Sequence, residues 1–534
     1  MNLNHRLAGI MAGAAVCLAL ATTAAAQVTA DALLDKLVAK GILKQEEAEQ
    51  LKLEGSTNNA QGPKFKVSNA IKSMELFGDL RMRYEYRAAQ LGPEAGPYAG
   101  SYDAADRWRY ALRVGVRGEL ADSFYYGIRL ETSPNERSTW NTFGGGGTSP
   151  YNGPFSKSSY SLYIGEAYLG WRPTPWLDVS IGRVPQPLYT TPMVWDSDYT
   201  PEGVVEKLKY SYGPVDFFAT LGQFVYQDVT PTSAAAVIGG STGVYSAGNI
   251  LGDWSDQNAY LLAWQFGVIY HIDPKLSVKV APVFYSYVGH GNQSAGFYGP
   301  FVGQGIGGFT FNTNTFGNIS TTSSTLPGGT GATTGLSSTS GANTFSYNQT
   351  GINNLSIIEL PMEVNFKIGS LDARAFGDFS INLNGDARAR AAYSAGTTIA
   401  AANGNPNPFP GGVQLNQDQA MQFGLAVGNN LDLAYGSMPK KGTWEARAYW
   451  QHVEQYALDP NLLDSDFFEG RGNLQGFYTA FAYSVSDAII GTVRYGVAAR
   501  IDNQLGTGGY NADLPLPNPI NRFQILQMDV TWKF

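Results

Sequence analysis

From residue 75 to the C-terminus, apolar and polar residues alternate in short runs. A period of two marks a strand with one greasy face and one wet face. In the last run, Asn521–Phe534, residues Leu526, Met528, Val530, Trp532 and Phe534 alternate with Gln527, Asp529, Thr531 and Lys533. The first run, Glu75–Arg87, sets Leu80, Met82, Tyr84 and Tyr86 against Asp79, Arg81, Arg83 and Glu85. The second, Asp106–Leu120, alternates Trp108, Tyr110, Leu112, Val114 and Val116 with Arg109, Arg113 and Arg117, and the third, Ser123–Thr132, sets Phe124, Tyr126, Ile128 and Leu130 against Arg129 and Glu131. Further strands are predicted near Ser159–Trp171, Trp176–Arg183, Gly203–Tyr212, Val215–Phe224, Gln257–His271, Lys275–Tyr287, Leu355–Ile368, Leu371–Leu383, Gln419–Asn429, Thr443–Val453, Leu474–Val485 and Ala488–Ile501. The total is sixteen, and several have the ~9–11 residues that cross a bilayer at a tilt.

The connections sort by length. Tight turns fall at Ala121-Asp122, Arg172–Pro175, Gly213-Pro214, Asp273-Pro274, Gly369-Ser370 and Ser486-Asp487, with a longer one at Asn430–Gly442. Long connections alternate with them, at residues 88–105, 133–158, 184–202, 225–256, 288–354, 384–418, 454–473 and 502–520. A sandwich or propeller has no reason to sort its loops this way. An up-and-down antiparallel β-barrel in an outer membrane does, with long loops outside the cell and short turns in the periplasm. The fold class expected is therefore all-β, a transmembrane antiparallel barrel of about sixteen strands over residues 75–534. Both termini are then periplasmic.

The first 74 residues lack this pattern. Residues 1–26 read as a secretory signal, with Arg6 ahead of the apolar stretch Leu7–Leu20 and small residues Ala24-Ala25-Ala26 at the cleavage site. Residues 27–55 carry Leu33, Leu34, Leu37, Val38, Ile42 and Leu43 at helical spacing, a short helical segment too small to fold alone. Residues 56–74 read as a linker. Cys17, the single cysteine, lies in the signal, so the mature chain can hold no disulfide and no thiolate site. The charged fraction, 15%, is low beside the ~25% of soluble domains, as lipid-facing strands require.

Charges on the wet faces are the candidate chemistry. A charge facing lipid at the bilayer midplane costs ~2–4 kcal/mol, so these faces must line the lumen. The expected basic strip is Arg81, Arg83, Arg109, Arg113, Arg117 and Arg129, with Glu166 on the fourth strand also inward. Across the ring lies a mainly acidic strip, Glu359, Glu363, Asp372 and Asp378, with Arg374 among them. Opposed strips would set a transverse field on polar solutes. Scattered mixed charge on the wall is the alternative. The connection 184–202 reads VPQPLYTTPMVWDSDYTPE. Its prolines stiffen it, and Trp195, Asp196, Asp198 and Glu202 make it a candidate constriction loop or an external cap. Asp-Ser-Asp here lacks the glycine and spaced glutamate of a calcium-binding helical loop. Loop 288–354, rich in Gly, Ser, Thr and Asn, reads as a flexible surface loop or one folded into the pore.

Enzymatic chemistry finds little support. His271, His290 and His452 sit at strand ends or in a loop, with no nucleophile motif nearby. There is no phosphate loop, dinucleotide fingerprint or haem motif. No cofactor and no metal are expected. A net charge of −8, or −9 without Arg6, argues against nucleic acid.

The terminal aromatic strand resembles the closing strand of bacterial outer-membrane barrels. That resemblance implies that Phe534 is the signal read by the barrel-assembly machinery. More widely, the chain resembles the putative porin family of Gram-negative outer membranes. The likeness lies in ALLDKLVAKGILKQEEAEQLK, LFGDLRMRYEYR, RWRYALRVGVRGELADSFYYGIRL, IGEAYLGWRPTPWLDVSIGRVPQP, MVWDSDYTPEGV and QILQMDVTWKF. It fades in the long loops. It implies a channel in outer-membrane lipid for passive diffusion of small hydrophilic solutes, and similar porins are often homotrimers. A ligand-selective barrel for a sugar, peptide or anion, and a barrel scaffold for a partner protein, are the alternatives.

Overall fold

The computed structural model describes residues 70–92, 99–133, 138–144, 161–227, 259–289, 355–390, 393, 411–459, 462–507 and 520–534. The expected signal, the helical segment 27–55 and most of the linker lie outside the described residues, as does most of loop 288–354. The helical turn that is described lies at 385–390.

Sixteen strands form the wall: β1 (Glu75–Leu91), β2 (Tyr102–Glu119), β3 (Phe124–Ser133), β4 (Ser161–Thr174), β5 (Leu177–Arg183), β6 (Glu202–Tyr212), β7 (Val215–Gln227) and β8 (Ala259–Asp273). Then follow β9 (Leu276–Val280 and Val283–Gly289), β10 (Ser356–Ile368), β11 (Leu371–Asn382), β12 (Gln419–Gly428), β13 (Trp444–Val453), β14 (Leu474–Ser484), β15 (Ile489–Arg500) and β16 (Ile520–Lys533). A two-residue bridge, Asn141–Thr142, adds to β2. Each strand pairs antiparallel with its sequence neighbours, and β16 pairs back onto β1, so the sheet closes without an edge.

The sequence pattern reads β9 as continuous, but it breaks at Ala281-Pro282. Proline has no N–H for the ladder. The gap is bridged by the Ala281 N–H donating to the Pro361 carbonyl (3.1 Å) and the Phe266 N–H to the Pro282 carbonyl (3.1 Å). At the seam, Phe534 and Gly78 exchange both backbone hydrogen bonds, 2.9 and 3.1 Å. A side chain at Gly78 would meet the Phe534 ring at 2.7 Å and the Arg113 carbonyl at 2.3 Å, so glycine there lets the terminal ring close over the wall.

The alternation sorts side chains as pattern requires. Trp108, Ile128, Leu130, Ile164, Phe266, Phe477, Val530 and Trp532 stand exposed on the outside, while Arg83, Glu85, Arg109, Glu166 and Asp529 are buried within. Exposed apolar surface of this extent is what lipid-facing strands present. The apolar core, unusually, lies inside the ring. Leu188, Met193, Val194 and Trp195 from the connection after β5 pack with Leu458, Leu463, Phe467 and Phe468 from the connection after β13 and with wall residues Phe224, Tyr285 and Tyr449. Each such side chain buried is worth about 1.5–3 kcal/mol, enough in sum to hold two connections in the lumen.

Candidate functional site

Among the described residues, three segments enter the barrel. The first is residues 184–201. Its prolines leave few conformations, and its apolar residues find the inner wall. The Trp195 ring lies 6.0 Å from Phe224 and 6.3 Å from Tyr285, and its Nε1 donates to the Tyr199 carbonyl at 3.0 Å. Its polar residues reach the adjoining strands β10 and β11. Tyr189 Oη donates to Glu363 (2.7 Å), Thr190 Oγ1 to Glu359 (2.6 Å), and Thr191 Oγ1 to Asp378.

The second segment, residues 454–473, descends beside it. Asp466 accepts from Arg83 (3.0 Å) and Arg87 (3.2 Å), and Glu469 accepts from Arg87 (3.2 Å). The two segments touch. The Asp196 N–H donates to the Leu462 carbonyl (2.6 Å) and the Asp464 N–H to the Pro192 carbonyl (3.2 Å). Ser465 donates to Asp196 through its N–H (3.0 Å) and its Oγ (2.9 Å). Both segments carry Asp-Ser-Asp, and both turn the same way: the first aspartate accepts the N–H two residues on, Asp198 at 2.9 Å and Asp466 at 3.0 Å. Burial, then the neighbouring Asp198 and Asp464 charges, push the Asp196 carboxyl well above its ordinary range. Burial and Asp466 bring Asp464 to about 7. Asp466 itself, despite burial, is held at about 2 by Arg83 and Arg87.

The third segment enters from the opposite rim. In turn 430–442, Asp432 accepts from Arg374 (2.8 Å) and Arg447 (2.7 Å), while Leu433 and Ala434 are buried. Arg494 donates to the Ala434 carbonyl at 2.7 Å.

Between the three segments lies a polar cavity of about 210 Å³. Arg81, Arg113, Arg494 and Lys533 line it with Asp79, Asp198 and Asp529, and Trp140 forms part of the wall. The Arg83 guanidinium stacks over Trp140 at 4.0 Å and Arg81 at 5.4 Å. Charges here are interleaved. Asp79 takes both Arg81 (2.9 Å) and Arg113 (2.8 Å), and Asp529 takes Arg83 (2.7 Å) and Arg494.

The candidate residues from the sequence fall into distinct places. Arg81, Arg83 and Arg113 border the cavity. Arg109 is buried against Glu85 (3.5 Å) and the Trp140 carbonyl (3.2 Å). Arg117 is half exposed at the rim, paired with Glu75 at 2.9 Å. Arg129 bonds Glu166 and Glu131 on the wall. The expected basic strip therefore carries its own acids: cross-strand register sets Asp529 opposite Arg83, Asp79 opposite Arg113, Glu75 opposite Arg117 and Glu166 opposite Arg129, while Arg81 and Arg109 reach Asp79 and Glu85 off register. The expected acidic strip divides too. Glu359 and Asp378 are buried under the first segment, Glu363 pairs with Arg374 at 3.4 Å, and Asp372 is exposed with Lys367 at 2.5 Å. In the first segment, Asp196 and Asp198 border the cavity, Trp195 is an anchor against the wall, and Glu202 opens β6 and pairs with Arg183 at 2.8 Å. Sequence reasoning missed Asp464, Ser465, Asp466 and the turn residues Asp432–Tyr435. Two signals pointed there: a second Asp-Ser-Asp, and a connection far longer than the other short turns.

Comparison with curated proteins finds no match. Among solved structures, the chain is similar to OprB of Pseudomonas putida (10% identity, 87% of this chain and 94% of that one, TM-score 0.42). It is also similar to OmpF of Salmonella typhi (8%, 88% and 99%, 0.40) and to an anion-selective porin from Comamonas acidovorans (10%, 86% and 99%, 0.37). The family model described as Putative porin matches residues 86–534, most of the chain, and the protein belongs to that family.

Proposed function

We propose that the protein forms a water-filled channel through the outer membrane, along which small hydrophilic solutes and ions diffuse passively. The observation that carries this reading is the pairing of an apolar exterior with a charged interior in a closed ring of sixteen strands, a size that leaves an aqueous passage. The inward segments narrow the passage at the polar cavity. The sorting of connections supports long loops outside and both termini in the periplasm. No covalent chemistry is assigned to it. The aromatic end of β16, paired into the seam, supports Phe534 as the element read by the barrel-assembly machinery. Purified protein in planar bilayers should give step-like, ohmic conductance increments. A barrel that inserts without conductance steps would overturn the channel.

A solute-selective barrel is the second reading, favoured by the charged lining of the 210 Å³ cavity. Its mark is saturable block of ion current by one class of solute, where a general channel shows none.

A further inference from the structure

Beneath the first inward segment, the wall holds two carboxyls that pair with no basic side chain among the described residues. Glu359 on β10 and Asp378 on β11 are fully buried, and they are diagonal neighbours on the same face, since Glu359 pairs in register with Ser380 two residues from Asp378. The basic groups nearest along these strands, Arg374 and Lys367, pair with Glu363 and Asp432 and with Asp372. The partners of the buried pair are neutral hydroxyls. Thr190 Oγ1 (2.6 Å) and Tyr285 Oη (2.5 Å) donate to Glu359, and Thr191 Oγ1 donates to Asp378. Two oxygens of this cluster meet no partner at all: Asp378 Oδ1 and Ser380 Oγ. Ser380 is the register partner of Glu359 and is fully buried as well.

Neutral hydroxyls do not offset the desolvation of two adjacent carboxylates, and an oxygen left without a partner adds to the deficit. Every donor atom in the cluster is oxygen, which selects a hard cation over zinc, whose sites favour nitrogen and sulfur. Glu359, Asp378, Ser380 and Tyr285 are all buried, so the oxygens offered to an ion come from the protein itself. Magnesium keeps several waters and demands octahedral geometry, whereas calcium accepts six to eight protein oxygens in flexible arrangement. Each hydroxyl keeps its proton and turns a lone pair to the ion.

We propose that Glu359, Asp378 and Ser380, with Thr190, Thr191 and Tyr285, form a calcium site that fastens the inward segment to the barrel wall. This departs from the sequence expectation of no metal, because the six residues come from four separate stretches of chain.

The test uses the purified full chain in detergent, stripped with EDTA and titrated with CaCl2 by calorimetry and by thermal unfolding. The expected result is one calcium per chain and a higher unfolding midpoint, both lost in the double variant Glu359→Gln/Asp378→Asn. Magnesium should bind at least tenfold more weakly. A wild-type midpoint that ignores calcium would overturn the proposal, as would an equal response in the double variant, which would place the ion elsewhere. If the carboxyls instead share a proton, the midpoint rises on acidification and calcium adds nothing, and the proposal fails. Should the double variant not fold, Ser380→Ala/Tyr285→Phe removes two neutral ligands. At least tenfold weaker calcium binding supports the site, and unchanged affinity refutes it.

Discussion

Arg113 should set ion selectivity out of proportion to its neighbours. Arg109, Arg113 and Arg117 share the inner face of β2 with Arg107, yet the structure gives these three different surroundings. Arg113 lines the cavity with 20% of its side chain exposed, Arg109 is 6% exposed behind Trp140, and Arg117 is 52% exposed at the rim. Replacing Arg113 with Gln leaves Asp79 paired with Arg81 and removes one positive charge from the polar cavity. An ion passing ~6 Å from that charge in a water-like medium feels about 0.7 kcal/mol, roughly a threefold change in its local concentration. Anions lose and cations gain, so the permeability ratio should move toward cations by about tenfold. The assay is the reversal potential across a salt gradient. The shift should be largest near 0.1 M salt, where the Debye length is ~10 Å, and small near 1 M, where it is ~3 Å. Arg117→Gln should shift the potential far less, and Arg109→Gln should act mainly on stability. An unchanged reversal potential in folded Arg113→Gln at low salt, or an equal shift in Arg117→Gln, would refute the placement of the conducting path along this cavity.

Arg83 pairs with buried Asp529 and with partly exposed Asp466, and Arg83→Ala leaves them to Arg494 and Arg87 alone, so it should lower unfolding stability by about 1.5–3 kcal/mol; denaturant midpoints near wild type would contradict that. The contact between the two inward segments should depend on pH. The Asp464 carboxyl sits at about 7 in the fold, above its unfolded value, so its contribution is complete below the unfolded carboxyl range and is lost as pH rises through 7. Asp466, held at about 2, stays charged throughout. Single-channel conductance should therefore rise, with more open-state noise, between pH 5 and pH 9, and identical recordings at both would argue against a titrating contact. Deleting Phe534 removes the last rung of the seam with Gly78 and should sharply lower the amount of heat-modifiable barrel in membranes; normal amounts would disprove an assembly role. A tag inserted near Gly329 should be reachable on intact cells, and labelling only after the outer membrane is breached would invert the topology.

The sequence by itself determined the wall. A strict period of two leaves each strand one way to face lipid and water, because a one-residue slip would turn Arg83 and Asp529 outward and Trp532 inward. Alternating connection lengths, with an even strand number, then fix an up-and-down order that closes Glu75–Leu91 onto Ile520–Lys533. The interior was beyond its reach. The Pro-rich stretch 184–202 is compatible with a cap or a constriction. Only the fit of Trp195 against Phe224 and Tyr285, and of Thr190 and Thr191 against Glu359 and Asp378, draws it inside. Asp464-Ser465-Asp466 resembles any polar loop until it meets Asp196, 268 positions earlier than Asp464 in the chain. Local periodicity encodes which face a side chain takes. What it touches across the lumen depends on contacts between residues hundreds of positions apart, and no local pattern carries that information.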